Sequence, residues 1–153
     1  MMRLKLEQQE TKLNQLFSKV ESVADEETKA ILSKFLCVRT SGYIEAALKA
    51  LVNEFVSGSS PKCVQRFVND KMRTVTNLKY ERILNILSSY DDDWSRRFSE
   101  LITEEQRAAL NSIVSNRNNI SHGENDSVSY ELMKGYFEHA KHVVRTLKEI
   151  VKK

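Results

Sequence analysis

One proline and four glycines are all that punctuate 153 residues. These two residue types break helices and open turns most readily, so a chain this poor in them reverses direction mainly at the ends of long helices. The length suits a single domain over residues 1–153 with a substantial core. The prediction is an all-α fold, an antiparallel bundle of four to seven helices, because short connections between amphipathic helices force neighbours to run in opposite directions.

The apolar residues recur at helical spacing. Leu6, Leu13, Leu16, Phe17, Val20 and Val23 mark a first helix from about residue 4 to 23, and Asp25 is a natural N-cap for the second. That second helix reaches about Val56 through Ile31, Phe35, Val38, Ile44, Leu48 and Phe55, and is expected to be central and bent near Gly42. Ser57-Gly58-Ser59-Ser60-Pro61 is the clearest loop, with Ser60 expected as N-cap and Pro61 at the first helical position. The third helix should turn Val64, Phe67, Val68 and Met72 inward, and a short fourth begins near Leu78 and ends near Tyr90. Asp91-Asp92-Asp93 opens a further short segment by turn and N-cap chemistry. Thr103-Glu104-Glu105-Gln106 reads as a capping box, which fixes the start of a helix running to about His122. Met133, Phe137, Ala140, Val143, Val144, Leu147 and Ile150 form the seam of the last helix, and the Lys134, Lys141, Arg145, Lys148, Lys152 stripe opposite it is expected to face water.

Composition removes several classes of function. The net charge of +3 comes from 24 basic and 21 acidic residues mixed along the chain, which permits an RNA partner without arguing for one. Cys37 and Cys63 lack metal-type spacing and disulfide density, and are expected as core residues in a reducing compartment. Met1-Met2-Arg3 leads into a polar amphipathic segment rather than a signal peptide, and no apolar run approaches membrane-spanning length. A cytoplasmic protein with no membrane contact is therefore expected. His139 and His142 are three apart, but no third metal ligand is evident near them. Tyr43 is a candidate for base stacking or for packing.

Chemistry is concentrated in Asn116-Arg117-Asn118-Asn119-Ile120-Ser121-His122-Gly123. At about 100° per residue, Arg117, Ser121, Asn118 and His122 share an arc of about 140° on one helix face. Leu110, Ile113 and Val114 form the apolar stripe of the same helix, and continuing it one turn puts Arg117 inward. A buried guanidinium must meet a carboxylate, solvent or an anionic ligand, and Glu45 on the second helix is the best-placed acid. Gly123 is placed to be the left-handed C-cap.

Arg117-Asn118, four residues between Arg117 and His122, and a late position in a helical bundle together resemble the HEPN superfamily of RNA-cleaving domains. The resemblance covers most of the chain as fold and about six residues as motif. It implies a homodimer whose two motifs face one phosphate in a composite cleft, and RNA cleavage without a metal or other cofactor. On that reading His122 is the general acid or base, Arg117 the phosphate clamp and Asn118 a hydrogen-bonding orienter, with Ser121 and Glu45 supporting. The resemblance also implies a toxin or defence role, with an antitoxin or regulatory protein as restraint. Two other readings remain open at this point: a non-catalytic module binding a nucleotide, RNA or protein, and a structural dimerisation domain in which Arg117 pairs with Glu45 and His122 serves the helix end.

Overall fold

The computed structural model describes residues 2–126 and 128–152, which form seven helices and no strand: α1 Met2–Glu21, α2 Glu26–Ser57, α3 Lys62–Arg73, α4 Tyr80–Tyr90, α5 Asp92–Leu101, α6 Glu104–Ser121 and α7 Tyr130–Ile150. α2 packs against α1, α3, α6 and α7, and is the central helix that its many-sided apolar pattern predicts. Leu36, Leu48, Leu51 and Val52 on it are fully buried, each contributing about 1.5–3 kcal/mol relative to an exposed side chain. The helix runs unbroken through Gly42.

Side-chain rungs show the directions. Lys29 Nζ donates to the Glu21 carbonyl at 3.2 Å and Tyr43 Oη to Glu10 Oε1 at 3.3 Å, so α1 and α2 are antiparallel. Lys134 meets Glu21 at 2.9 Å and Arg3 Nη1 reaches the Lys148 carbonyl at 3.3 Å, so α7 is antiparallel to α1 as well. Phe17 and Phe137 stack with centroids 4.4 Å apart between these helices, and Tyr130 Oη donates to the Phe17 carbonyl at 3.1 Å.

Local chemistry sets most boundaries. Asp25 caps α2 by accepting from the Thr28 N–H at 2.9 Å, and Asp91 caps α5 by accepting from the Asp93 N–H at 2.8 Å. Three boundaries differ from expectation. α1 stops at Glu21, two residues short of Val23, whose N–H closes a turn on the Val20 carbonyl. Pro61 is the N-cap of α3 rather than its first helical residue, with ψ 157°; the ring restricts φ, and ψ decides on which side of the boundary a proline falls. α4 starts at Tyr80 because Asn77 is left-handed, at φ 56°, and Asn111 Oδ1 of α6 accepts the Tyr80 N–H at 3.0 Å.

Burial also departs from the pattern at informative places. Val64 and Phe67 of α3 are exposed, and so are Ile31, Phe35 and Val38 of α2. The α7 basic stripe does not simply face water. Lys134 and Arg145 pair with Glu21 and Glu10 of α1, while Lys141 is buried and donates to Asn14 Oδ1 at 3.0 Å. Of the two cysteines, Cys37 is buried as expected and Cys63 is exposed. No helix among the described residues is long and apolar enough to cross a membrane.

Candidate active site

The start of α6 is held by a two-way capping box: Gln106 N–H donates to Thr103 Oγ1 and Thr103 N–H to Gln106 Oε1, both at 3.1 Å. Its end is equally defined. Gly123, at φ 68°, donates to the Ile120 carbonyl at 3.2 Å, and the Glu124 N–H reaches back to the Asn119 carbonyl at 2.8 Å. These two bonds form a Schellman motif, which glycine permits because it lacks the Cβ that opposes a positive φ. His122 is therefore the C-cap residue, its N–H bonded to the Asn118 carbonyl at 3.0 Å and its side chain exposed.

Between these fixed ends Ala109, Leu110, Ile113, Val114 and Asn116 are buried. The next inward position after Ile113 is Asn116, not Arg117, because the stripe advances three residues here rather than four. Asn116 Nδ2 donates to the Ser112 carbonyl at 2.9 Å, which satisfies an amide where the core admits little water. Arg117 is half-buried on the flank, so its guanidinium escapes most of the desolvation cost that a core position would impose. Among the described residues it forms no ion pair; its Nη1 donates to Asn118 Oδ1 at 3.3 Å.

The expected Arg117–Glu45 pair is not formed. Glu45 Oε2 instead accepts from Thr76 Oγ1 at 3.1 Å and from the Asn77 N–H at 3.3 Å, pinning the α3–α4 connection where Asn77 is left-handed. The helix register accounts for this. Cys37 Sγ of α2 donates to the Ile113 carbonyl of α6 at 3.5 Å, and Lys34 pairs with Asp126 beyond the α6 end at 3.2 Å. α6 thus runs antiparallel to α2, and Arg117 points along it toward the Lys34 end. Glu45 lies in the other direction, about 12 Å along the axis from Cys37.

Asp126 is the acid that sequence reading missed. Its side chain is 7% exposed, it pairs with Lys34, and its Oδ1 accepts from the Val128 N–H at 3.1 Å. Both Asp126 and Arg117 act on Cys37: burial pushes that thiol up to about 12, Asp126 adds to the rise and Arg117 opposes it. The only sequence signal for Asp126 is its place in the polar turn before the Ser129 N-cap. Ser121 is exposed beside His122. Tyr43 is buried, its ring edge-to-face with Phe137 at 6.5 Å between centroids, and its hydroxyl is pushed upward first by burial and then by Glu10; it is a packing residue. Among the described residues no group of three or more His, Cys, Asp or Glu is placed to hold a metal ion.

The structure therefore brings together Arg117, Asn118, Ser121 and His122 on the last turns of α6 and leaves Glu45 elsewhere. Arg117 and His122 are about 7.5 Å apart along the helix axis, a spacing that lets a cation and an imidazole approach neighbouring atoms of one anionic ligand.

An all-helical bundle with an Arg-x4-His motif closing its penultimate helix, followed by one long final helix, has the architecture of a HEPN domain. The chain belongs to the RiboL-PSP-HEPN family, whose model matches residues 4–153. No curated protein and no solved structure matches it.

Proposed function

We propose that the protein is an endoribonuclease that needs no metal ion and uses Arg117 and His122 from two copies of the chain. The observation that carries this reading is the state of Arg117: half-exposed, without an ion pair among the described residues, hydrogen-bonded to Asn118 and less than two turns from an exposed His122. A guanidinium held this way is a phosphate site in waiting.

Cleavage of an RNA phosphodiester needs a base for the 2′-hydroxyl, an acid for the departing 5′-oxygen, and positive charge on the phosphoryl oxygens. One imidazole per chain is too few for two simultaneous proton transfers, so two motifs facing across a two-fold axis supply two His122 and two Arg117 side chains. One His122 takes the 2′-proton, the other protonates the leaving oxygen, and the Arg117 pair clamps the phosphate while Asn118 orients its neighbouring guanidinium. The products are a 2′,3′-cyclic phosphate and a 5′-hydroxyl. The exposed apolar residues Ile31, Phe35 and Val38 occupy the same turns of α2 as Lys34 and Cys37, which meet the motif region, and provide a surface for the second copy. Such an enzyme would act as the toxin of a toxin–antitoxin or defence pair, held in check by a separate protein in the cytoplasm.

Expression in a bacterial host tests the reading. Wild-type protein should arrest growth and shorten total RNA, and His122→Ala should do neither at equal protein level. Growth arrest that persists in His122→Ala, with RNA intact in both, would instead favour a binding module.

A further inference from the structure

The helix that sequence periodicity turns inward by its Phe67 side is the one with the least support in the bundle. Among the described residues the backbone of α3 comes close to that of α2 alone, whereas α4 lies against α5 and α6; no close backbone approach joins α3 to α4. A furrow of about 450 Å³ lies between them. Its walls are Phe67, Met72 and Val75 on one side and Ile86 and Tyr90 on the other. Phe67 is 62% exposed, which no other large apolar side chain among the described residues exceeds.

Lys71 and Arg82 stand in the same lining, and no carboxylate is present there. Neither cation has an ion pair among the described residues; Lys71 Nζ rests 5.7 Å from the Phe67 ring centroid. Two cations close by are neutralised instead: Arg73 meets Asp70 at 3.2 Å and Arg107 meets Glu81 at 3.4 Å. An apolar trough bordered by unmatched positive charge is complementary to a ligand with an apolar ridge and negative flanks.

We propose that the α3–α4 furrow is the docking site for an acidic amphipathic helix of a partner protein. The shape argues for a helix. Arg82, Ile86 and Tyr90 recur every fourth residue and line about 12 Å of α4, close to the reach of anchors at i, i+3 or i+4, and i+7 on an incoming helix. Burying Phe67 and Ile86 against such anchors supplies the hydrophobic part of the binding, and Lys71 and Arg82 select Glu or Asp beside them. Single-stranded RNA fits less well, because it needs a run of cations tracking a backbone, whereas this lining holds two cations and its deepest side chains, Val68, Met72 and Val75, are buried and aliphatic. The furrow is separate from the motif: α4 meets α6 at Asn111, and His122 is about three turns further on.

The test is a phage-displayed library of helical peptides, panned on the full-length protein at low salt and counter-screened on two variants. Phe67→Ser removes the apolar anchor, and Lys71→Glu with Arg82→Glu reverses the rim; all three positions are exposed, and circular dichroism checks that both variants fold. The expected result is enrichment of sequences with large apolar residues at i, i+3 or i+4, and i+7 flanked by Asp or Glu. These should bind wild type at least about tenfold more tightly than either variant, a difference of about 1.4 kcal/mol. Absence of enrichment, enrichment of basic sequences, or binders indifferent to both variants would overturn the proposal. So would a short single-stranded RNA that binds wild type and loses affinity on charge reversal, or a wild-type dimer that Phe67→Ser makes monomeric in sedimentation.

Discussion

The Cys37 thiol of α2 donates to the Ile113 carbonyl of α6 at 3.5 Å, and this contact marks the register in which the motif is displayed. It aligns the last turns of α6 with the Lys34 end of α2. Arg117 is thereby kept away from Glu45 and left available, and Asp126 is drawn in to pair with Lys34 at 3.2 Å.

Because Arg117 is half-buried and makes no ion pair among the described residues, Arg117→Ala should change stability by no more than about 0.5 kcal/mol. In a domain of this size that moves Tm by about 2 °C or less. A buried structural pair would instead lose several kcal/mol on truncation. Thermal unfolding of the variant distinguishes the two.

Glu45→Gln should weaken the bonds to Thr76 and Asn77 and lower stability by about 1 kcal/mol, while leaving RNA cleavage within about twofold of wild type. A hundredfold loss of cleavage at unchanged Tm would return Glu45 to the site.

Gly123→Ala forces a Cβ onto a backbone at φ 68°. Among the described residues no atom beyond its chain neighbours lies within 4 Å of that Cβ, so the cost is backbone strain alone, about 1–2 kcal/mol. The Schellman bonds that position His122 should loosen with it. Hydrogen exchange at the Gly123 and Glu124 amides should accelerate, and cleavage should fall further than stability alone accounts for.

Cys37, held protonated by burial, should resist thiol reagents at pH 8 in the native protein, whereas exposed Cys63 reacts at once. Denaturation should release the second equivalent. The pH dependence has a defined sign. A thiol raised from 9.0 to about 12 contributes stability that is complete below pH 9 and lost as pH climbs toward 12. The unfolding free-energy difference between wild type and Cys37→Ala should shrink across that window.

The parts of the fold that could be read from sequence are those set by neighbours in the chain. The Thr103–Gln106 box, the Asp25 and Asp91 caps and Gly123 each satisfy backbone groups within a few residues, and each stands where its residue type predicts. What sequence could not show depends on how helices slide past one another. Glu45 and Arg117 looked paired because both lie near apolar stripes, but only the α2–α6 register tells that they point to opposite ends. A drift from four residues to three in the α6 stripe moved the inward position from Arg117 to Asn116. The exposure of Phe67 depends on which face of α3 meets α2, and four apolar residues on one short helix do not specify that. The fold class and family are established by the bundle and by the match over residues 4–153.

The most direct measurement is incubation of purified wild-type, Arg117→Ala and His122→Ala proteins with mixed RNA in EDTA, followed by identification of the new termini and a circular dichroism check of each protein. If Arg117 and His122 carry the chemistry, wild type alone cleaves, leaving 2′,3′-cyclic phosphate and 5′-hydroxyl ends, and either variant loses at least about a thousandfold. Intact RNA with folded wild-type protein, or cleavage undiminished in both variants, would contradict that assignment.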